Sequence, residues 1–373
     1  MAIGKIHPAC KQYLWGGEKL IREYGISSPK TPLAEAWVLS AHPDGDSRIS
    51  FSEGEVGSEV KSFAEYLKCH PEAVGSFGKA FPFFPTLIKL IDAKKALSIQ
   101  VHPDDSFALS REGQYGKTEM WIVLEREEGA FLYFGFQKDY TEEEIRRAIE
   151  EDNFPSLLCK VMVEPGDVFF IPAGTVHAIG AGILLAEVQQ NSNLTYRVYD
   201  YGRKDAQGNT RELHVEKALE VMNPKQLSAY RQEAFKKQGK KPVGEKAAGE
   251  SATGEKVAEK NVYLERIGSC EYFTVDRLFL EENAFYSGKL TEESFLSLLV
   301  LEGEGVLTAE TKYAKENHPD GSPEYKEETY SSKGQKSKCF VKKGESYFLP
   351  AEEGQWSLKG TGKFLLTFLS EKN

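Results

Sequence analysis

The stretch 156–190, SLLCKVMVEPGDVFFIPAGTVHAIGAGILLAEVQQ, leaves this chain little freedom of fold. Its apolar runs are short and are broken by Pro165-Gly166, Pro172, Gly174, Gly180 and Gly182. A helix interior tolerates this punctuation badly, whereas short strands joined by tight turns require it. The stretch therefore predicts consecutive strands of a β-barrel or sandwich. The same grammar recurs in EAWVLSAH and SRISF near the start, and after Val262 in YFTVDRLFL, SFLSLLVLEGEGVLTA, ESYFLPA and KFLLTFL. Helical patterns are few. KSFAEYLKCHPEAVGSFG (61–78) reads as helix and then turn, and HVEKALEVM (214–222) as a short helix. TEEEIRRAIEE (141–151) begins with Thr141 and Glu144 at capping-box spacing.

Two polar stretches interrupt the strands. Residues 232–261 are rich in Lys, Glu, Gly and Ala and nearly devoid of large apolar residues, which predicts a solvated linker. A second such stretch at 310–338 predicts an extended insertion. The expected organisation is a metal-binding domain over 1–231 with a helical insertion, the linker 232–261, and a β domain over 262–373. The net charge of −10 argues against a nucleic-acid partner. The five cysteines are odd in number and form no CxxC, as expected of reduced thiols in a cytoplasmic protein. No apolar run approaches the length of a membrane span, and MAIGKIHPACKQYLWGG lacks the apolar centre of a signal peptide.

Chemistry concentrates in SIQVHPDDSFALSREGQYGKTEMW, residues 98–121. Gln100 and His102 alternate with Ile99 and Val101, so on a strand the amide and the imidazole share one face, and Ser98 shares it too. Glu119 opens a second strand-like run after a loop rich in Asp, Ser and Gly. A fourth ligand is offered by His177, in the pattern Gly166-x5-Pro172-x-Gly174-x2-His177. A weak echo lies at 344–355, GESYFLPAEEGQ, where Gln355 stands in the place of His177. A lone histidine on an apolar strand is more often a hydrogen-bonded core residue; the joint pattern is what points to a metal. Two imidazoles, a carboxylate and an amide oxygen suit Zn²⁺ or a similar divalent ion. Lys89, inside the apolar run LIKLIDA, needs an anionic partner because burying it alone is costly.

The pattern around His177 matches the second motif of the cupin barrels, and the Gln100-Val101-His102 and Glu119 pieces take the role of the first motif. The fold expected is mainly β, with cupin-type (jelly-roll) β-barrels in two copies and a few helices inserted in the N-terminal part. More specifically, PLAEAW, LIKLIDAKKALSIQVHPDD, GKTEMW, IPAGTVHAIG and NSNLTYRVYDYGR together resemble the type I mannose-6-phosphate isomerases. The resemblance implies one Zn²⁺ per chain held by Gln100, His102, Glu119 and His177. It implies Arg197 as an active-site residue, Lys117 beside the metal carboxylate, and Lys89, Ser98 and Arg203 near the substrate phosphate. Trp15 and Glu35 would line the pocket on the same grounds.

The implied reaction moves a proton between C1 and C2 of an open-chain phosphosugar through a cis-enediol(ate). A dication disfavours a nearby ammonium, so Lys117 is a candidate base, with a metal-bound water as its competitor. A guanidinium releases its proton too reluctantly to compete. Two other readings are an Fe(II)-dependent cupin dioxygenase and a non-catalytic sugar-binding cupin. The expected partner is a small phosphosugar, and the oligomeric state, monomer or homodimer, stays open.

Overall fold

The computed structural model describes residues 3–51, 60–204, 207–226, 235–236, 246–250, 256–311 and 336–371. Most of the 232–261 linker and of the 310–338 insertion lies outside the described residues. The chain is mainly β and its named strands pair antiparallel, in the cupin-type architecture expected. It forms two compact units, one of residues 8–46 with 85–241, the other of 1–7, 47–84 and 242–373.

The first unit contains two sheets. In one, Val168–Ile171, Glu119–Arg126, Ile183–Gln190, Thr86–Ala93, Glu35–Leu39 and Ala9–Lys11 lie side by side in that order. In the other the order is Leu158–Met162, Phe131–Phe136, His177–Ile179, Ile99–Val101, Tyr196–Tyr199. Trp121, Phe169, Ile171 and Leu185 of the first sheet share a buried apolar cluster with Leu132, Phe134 and Ile179 of the second. The sheets therefore pack face to face. Behind the second sheet a separate cluster joins Ile99, Val101, Ala178 and Val198 to Ile145 and Ala218 of two helices, Glu142–Glu150 and Val215–Val221. Alternation does the sorting here: Ile99 and Val101 turn toward the helices, which sends Gln100 to the opposite face.

The capping box expected at Thr141 is present, with the hydroxyl accepting from Glu144 N–H at 3.2 Å and the Glu144 carboxylate accepting from Thr141 N–H at 2.7 Å. The segment between His102 and Glu119 is a correction. It was expected to be a loop, yet it contains the helix Asp105–Arg111, whose N-cap Asp104 accepts from Phe107 N–H at 2.9 Å. The Asp and Ser residues that resemble a turn are the ones that cap and open this helix.

In the second unit one sheet runs through Lys256–Cys270, Phe273–Leu290, Gly354–Phe368, Leu296–Thr311, Ser346–Leu349, Gly4–His7 and Arg48–Phe51. The segment 61–79 forms the helices Phe63–Cys69 and Gly75–Lys79 with a turn of 3-10 helix between them. The echo between 166–177 and 344–355 extends to the backbone. Gly166 N–H donates to Val123 O, Val123 N–H to Asp167 O and Asp167 N–H to Glu164 O, at 2.7, 3.0 and 3.1 Å. Gly344, Val300 and Glu345 repeat the pattern, with Lys342 O as the last acceptor, at 2.9, 2.9 and 3.1 Å. Both glycines have positive φ, 95° and 85°, which a side chain would strain. Registered this way, Leu296 and Gln355 stand where Glu119 and His177 stand in the first unit.

Candidate metal centre

The inner faces of the two sheets in the first unit carry the site. Gln100 is the Cα partner of His177 on one side and of Arg197 on the other. Directly opposed residues of an antiparallel sheet share a face, so these three project together. From the other sheet, Glu119 lies between Ile171 and Gln189. Two residues along, Trp121, Glu187, Lys89 and Trp37 form a second cross-strand row.

His102, Glu119 and His177 converge, with one ligand atom from each within 4.8 Å of the others. His177 Nε2 is 3.2 Å from Glu119 Oε1, and His102 Nε2 is 3.6 Å from Glu119 Oε2. The Gln100 amide nitrogen, Nε2, sits 3.4 Å from His177 Nε2. Each imidazole is oriented from behind. His102 Nδ1 lies 2.8 Å from Leu194 O and His177 Nδ1 2.9 Å from Thr175 O. A ring nitrogen facing a carbonyl carries the proton, so both Nε2 atoms present lone pairs to the centre. Burial first, and then the Lys117 ammonium and the neighbouring imidazole, hold His102 well below the usual histidine range. Burial lowers His177 to about 4 despite its carbonyl partner. Both rings are therefore neutral at pH 7, the form that binds metals.

Glu119 Oε1 and His102 Nε2 are buried without a hydrogen-bond partner, and Glu119 Oε2 has only the Lys117 ammonium beside it. Buried polar atoms rarely stay unsatisfied. Two lysines (Lys89, Lys117) also face three glutamates (Glu35, Glu119, Glu187), so carboxyl groups outnumber the ammoniums set against them. A dication fits both observations, and the donor set of nitrogen, carboxylate and amide suits zinc.

Lys117 is buried, with Nζ 2.8 Å from Glu119 Oε2 and 3.8 Å from Glu187 Oε1. Glu187 also accepts from Trp121 Nε1 at 2.8 Å and lies 3.1 Å from Lys89 Nζ. Burial would raise Glu187, but the two ammoniums and the indole outweigh it and hold the carboxyl down to about 2. Glu119 goes the other way. Burial and repulsion from Glu187 push it up to about 7 against the pull of Lys117.

Lys89 thus has carboxylates for partners, Glu187 and, at 3.9 Å, Glu35, with its ammonium also 5.0 Å from the Trp37 ring centre. Glu35 in turn accepts from Trp37 Nε1 at 2.6 Å. Ser98 is buried just before the strand Ile99–Val101. Arg203 bonds Ala96 O and the Asp200 carboxylate, which also accepts from Arg211 Nε at 2.8 Å. Arg197 donates from Nη1 to Glu212 O at 2.8 Å, and its Nε is buried without a partner. Trp15 packs in the apolar core and stacks on Tyr13. Glu187 is not singled out by the sequence, although a signal exists: the acid in ILLAEVQQ and the base in LIKLIDA are charges inside apolar strands, and such charges must pair.

Residues 3–124 match the family model of the phosphomannose isomerase type I catalytic domain. The chain is 31% identical over 363 residues to the putative mannose-6-phosphate isomerase YvyI of Bacillus subtilis, covering 97% of each protein. Mannose-6-phosphate isomerase ManA of the same organism is 34% identical over 338 residues, which is 87% of this chain and 95% of the relative. A mannose-6-phosphate isomerase of Streptococcus mutans is 42% identical over 56% of this chain, and that match spans 64% of the relative. Among solved structures, a mannose 6-phosphate isomerase from Bacillus subtilis superposes with a TM-score of 0.73 at 29% identity, covering 98% of this chain and 99% of the other.

Proposed function

Because this chain is an enzyme of the mannose-6-phosphate isomerase family, we propose that it interconverts mannose 6-phosphate and fructose 6-phosphate at the His102–Glu119–His177 centre with one bound zinc ion. The observation that carries this reading is the buried, unsatisfied His/Glu/His group with Arg197 and Lys117 beside it. Gln100, His102, Glu119 and His177 hold the metal, which acts when bound as a Lewis acid toward the sugar oxygens.

The remaining work falls to the chain's own side chains. Lys117 Nζ, poised between Glu119 and Glu187, exchanges the proton that moves between C1 and C2. Arg197 offers a permanent positive charge to the enediolate oxygen, and its buried Nε–H has no other partner. Ser98, Arg203 and Lys89 form the proposed phosphate group. Lys89 is already balanced by Glu187 and Glu35, whereas Arg203 and Arg211 share the single Asp200 carboxylate, so Ser98 and Arg203 carry the larger share. Trp15 and Glu35 support the wall of the pocket. A coupled assay for fructose 6-phosphate, run on purified protein with mannose 6-phosphate, tests the proposal: turnover supports it, and absence of turnover in zinc-loaded protein refutes it.

A further inference from the structure

Residues 116–118 precede the strand Glu119–Arg126 and belong to no regular element, yet each of their N–H groups is held. Gly116 N–H donates to Asp105 Oδ1 at 2.7 Å, Lys117 N–H to Pro103 O at 3.0 Å, and Thr118 N–H to Gln190 Oε1 at 2.7 Å. The Gln190 amide closes the loop by donating from Nε2 to the same Asp105 Oδ1 at 2.8 Å, and Gln190 N–H donates to Thr118 O at 3.1 Å. Asp105, Gln190 and the 116–118 backbone thus form a ring around the base of Lys117. The ring is tied to the metal ligands through Pro103, next to His102, and through Gly174 N–H, which donates to His102 O at 2.8 Å. Gly116 is required by this packing, since a Cβ there would lie 2.6 Å from Pro103 O and 2.7 Å from Asp105 N.

Gln190 is 2% exposed and uses one end of its amide on Thr118 and the other on Asp105. An amide buried this fully is costly unless satisfied, and here Thr118 N–H and the half-buried Asp105 carboxylate satisfy it.

We infer that Asp105 and Gln190 are positioning residues for the isomerisation, fixing the backbone of Lys117 so that its ammonium stays between Glu119 and Glu187. The inference rests on the isomerase reading of the site. It is tested with the metal-loaded full chain as wild type and as Asp105→Ala, Asp105→Asn, Gln190→Leu, Lys117→Met and the Asp105→Ala/Lys117→Met pair. Displacing a reacting group by about 1 Å costs on the order of 10²-fold in rate. Asp105→Ala and Gln190→Leu should therefore lower kcat by that order with little change in KM or zinc content. Asp105→Asn keeps an acceptor oxygen and should restore most of the rate. In the Lys117→Met background Asp105→Ala should cost nothing further, and amide hydrogen exchange over 114–121 should quicken in Asp105→Ala whether or not substrate is turned over. Unchanged kcat, or a loss that multiplies undiminished with that of Lys117→Met, would make the ring mere scaffold and overturn the inference while the isomerase reading stands. A wild type without turnover removes both.

Discussion

Arg197 is the direct cross-strand partner of Gln100. One strand register therefore sets the two backbones side by side, and the Glu212 carbonyl holds the guanidinium. Arg197→Ala should lower kcat by about 10²–10³-fold, the scale for removing one preorganised donor to a developing oxyanion. The measurement is steady-state kinetics beside a thermal melt. A fall in kcat with an equal fall in folded fraction would assign Arg197 to structure alone.

Glu187 gathers Lys89, Lys117 and the Trp121 indole in a buried setting. Glu187→Leu leaves two ammoniums short of a partner and should destabilise the fold by about 3–5 kcal/mol. Lys89→Met, which removes one of those charges, should recover part of that loss when combined with it. Urea denaturation of the single and double variants checks the coupling.

The same carboxylate sets an acid limit. Its folded-state value of about 2 lies below the ordinary glutamate value of about 4.3. A carboxylate depressed in this way contributes stability that is fully present above the unfolded value and is lost as pH falls through the folded one. Stability of the wild type should decline between about pH 4.3 and 2, and Glu187→Gln should show a shallower slope in that window. Parallel slopes would remove Glu187 from the account of acid unfolding.

Thr141→Ala provides a control remote from the chemistry. It deletes the hydroxyl that accepts from Glu144 N–H and should cost about 1 kcal/mol of stability. Turnover at a temperature where the protein stays folded should not change.

The strands, the helices at 63–69, 142–150 and 215–221, and the Thr141 cap were legible because each has a local signature: alternation, turn residues, or a cap at fixed spacing. Gln100 was legible for the same reason, since Ile99 and Val101 had to be buried. The helix Asp105–Arg111 was not, because its cap residues are also turn residues. The partners of Lys89 were not named either. The need for a counter-charge is local, but Glu187 and Glu35 reach it only through the order of strands in the sheet. The ring of Asp105, Gln190 and residues 116–118 is further still from a sequence pattern, being made of side chains that each have an ordinary surface use.

The central claim is that a metal held by His102, Glu119 and His177 is needed for isomerisation. Exhaustive chelation followed by measured add-back of zinc, with fructose 6-phosphate formation and metal content followed together, tests it most directly. Activity should vanish with the metal and return in proportion to zinc bound, up to one ion per chain. Activity that survives in protein shown to be free of divalent metal would contradict it.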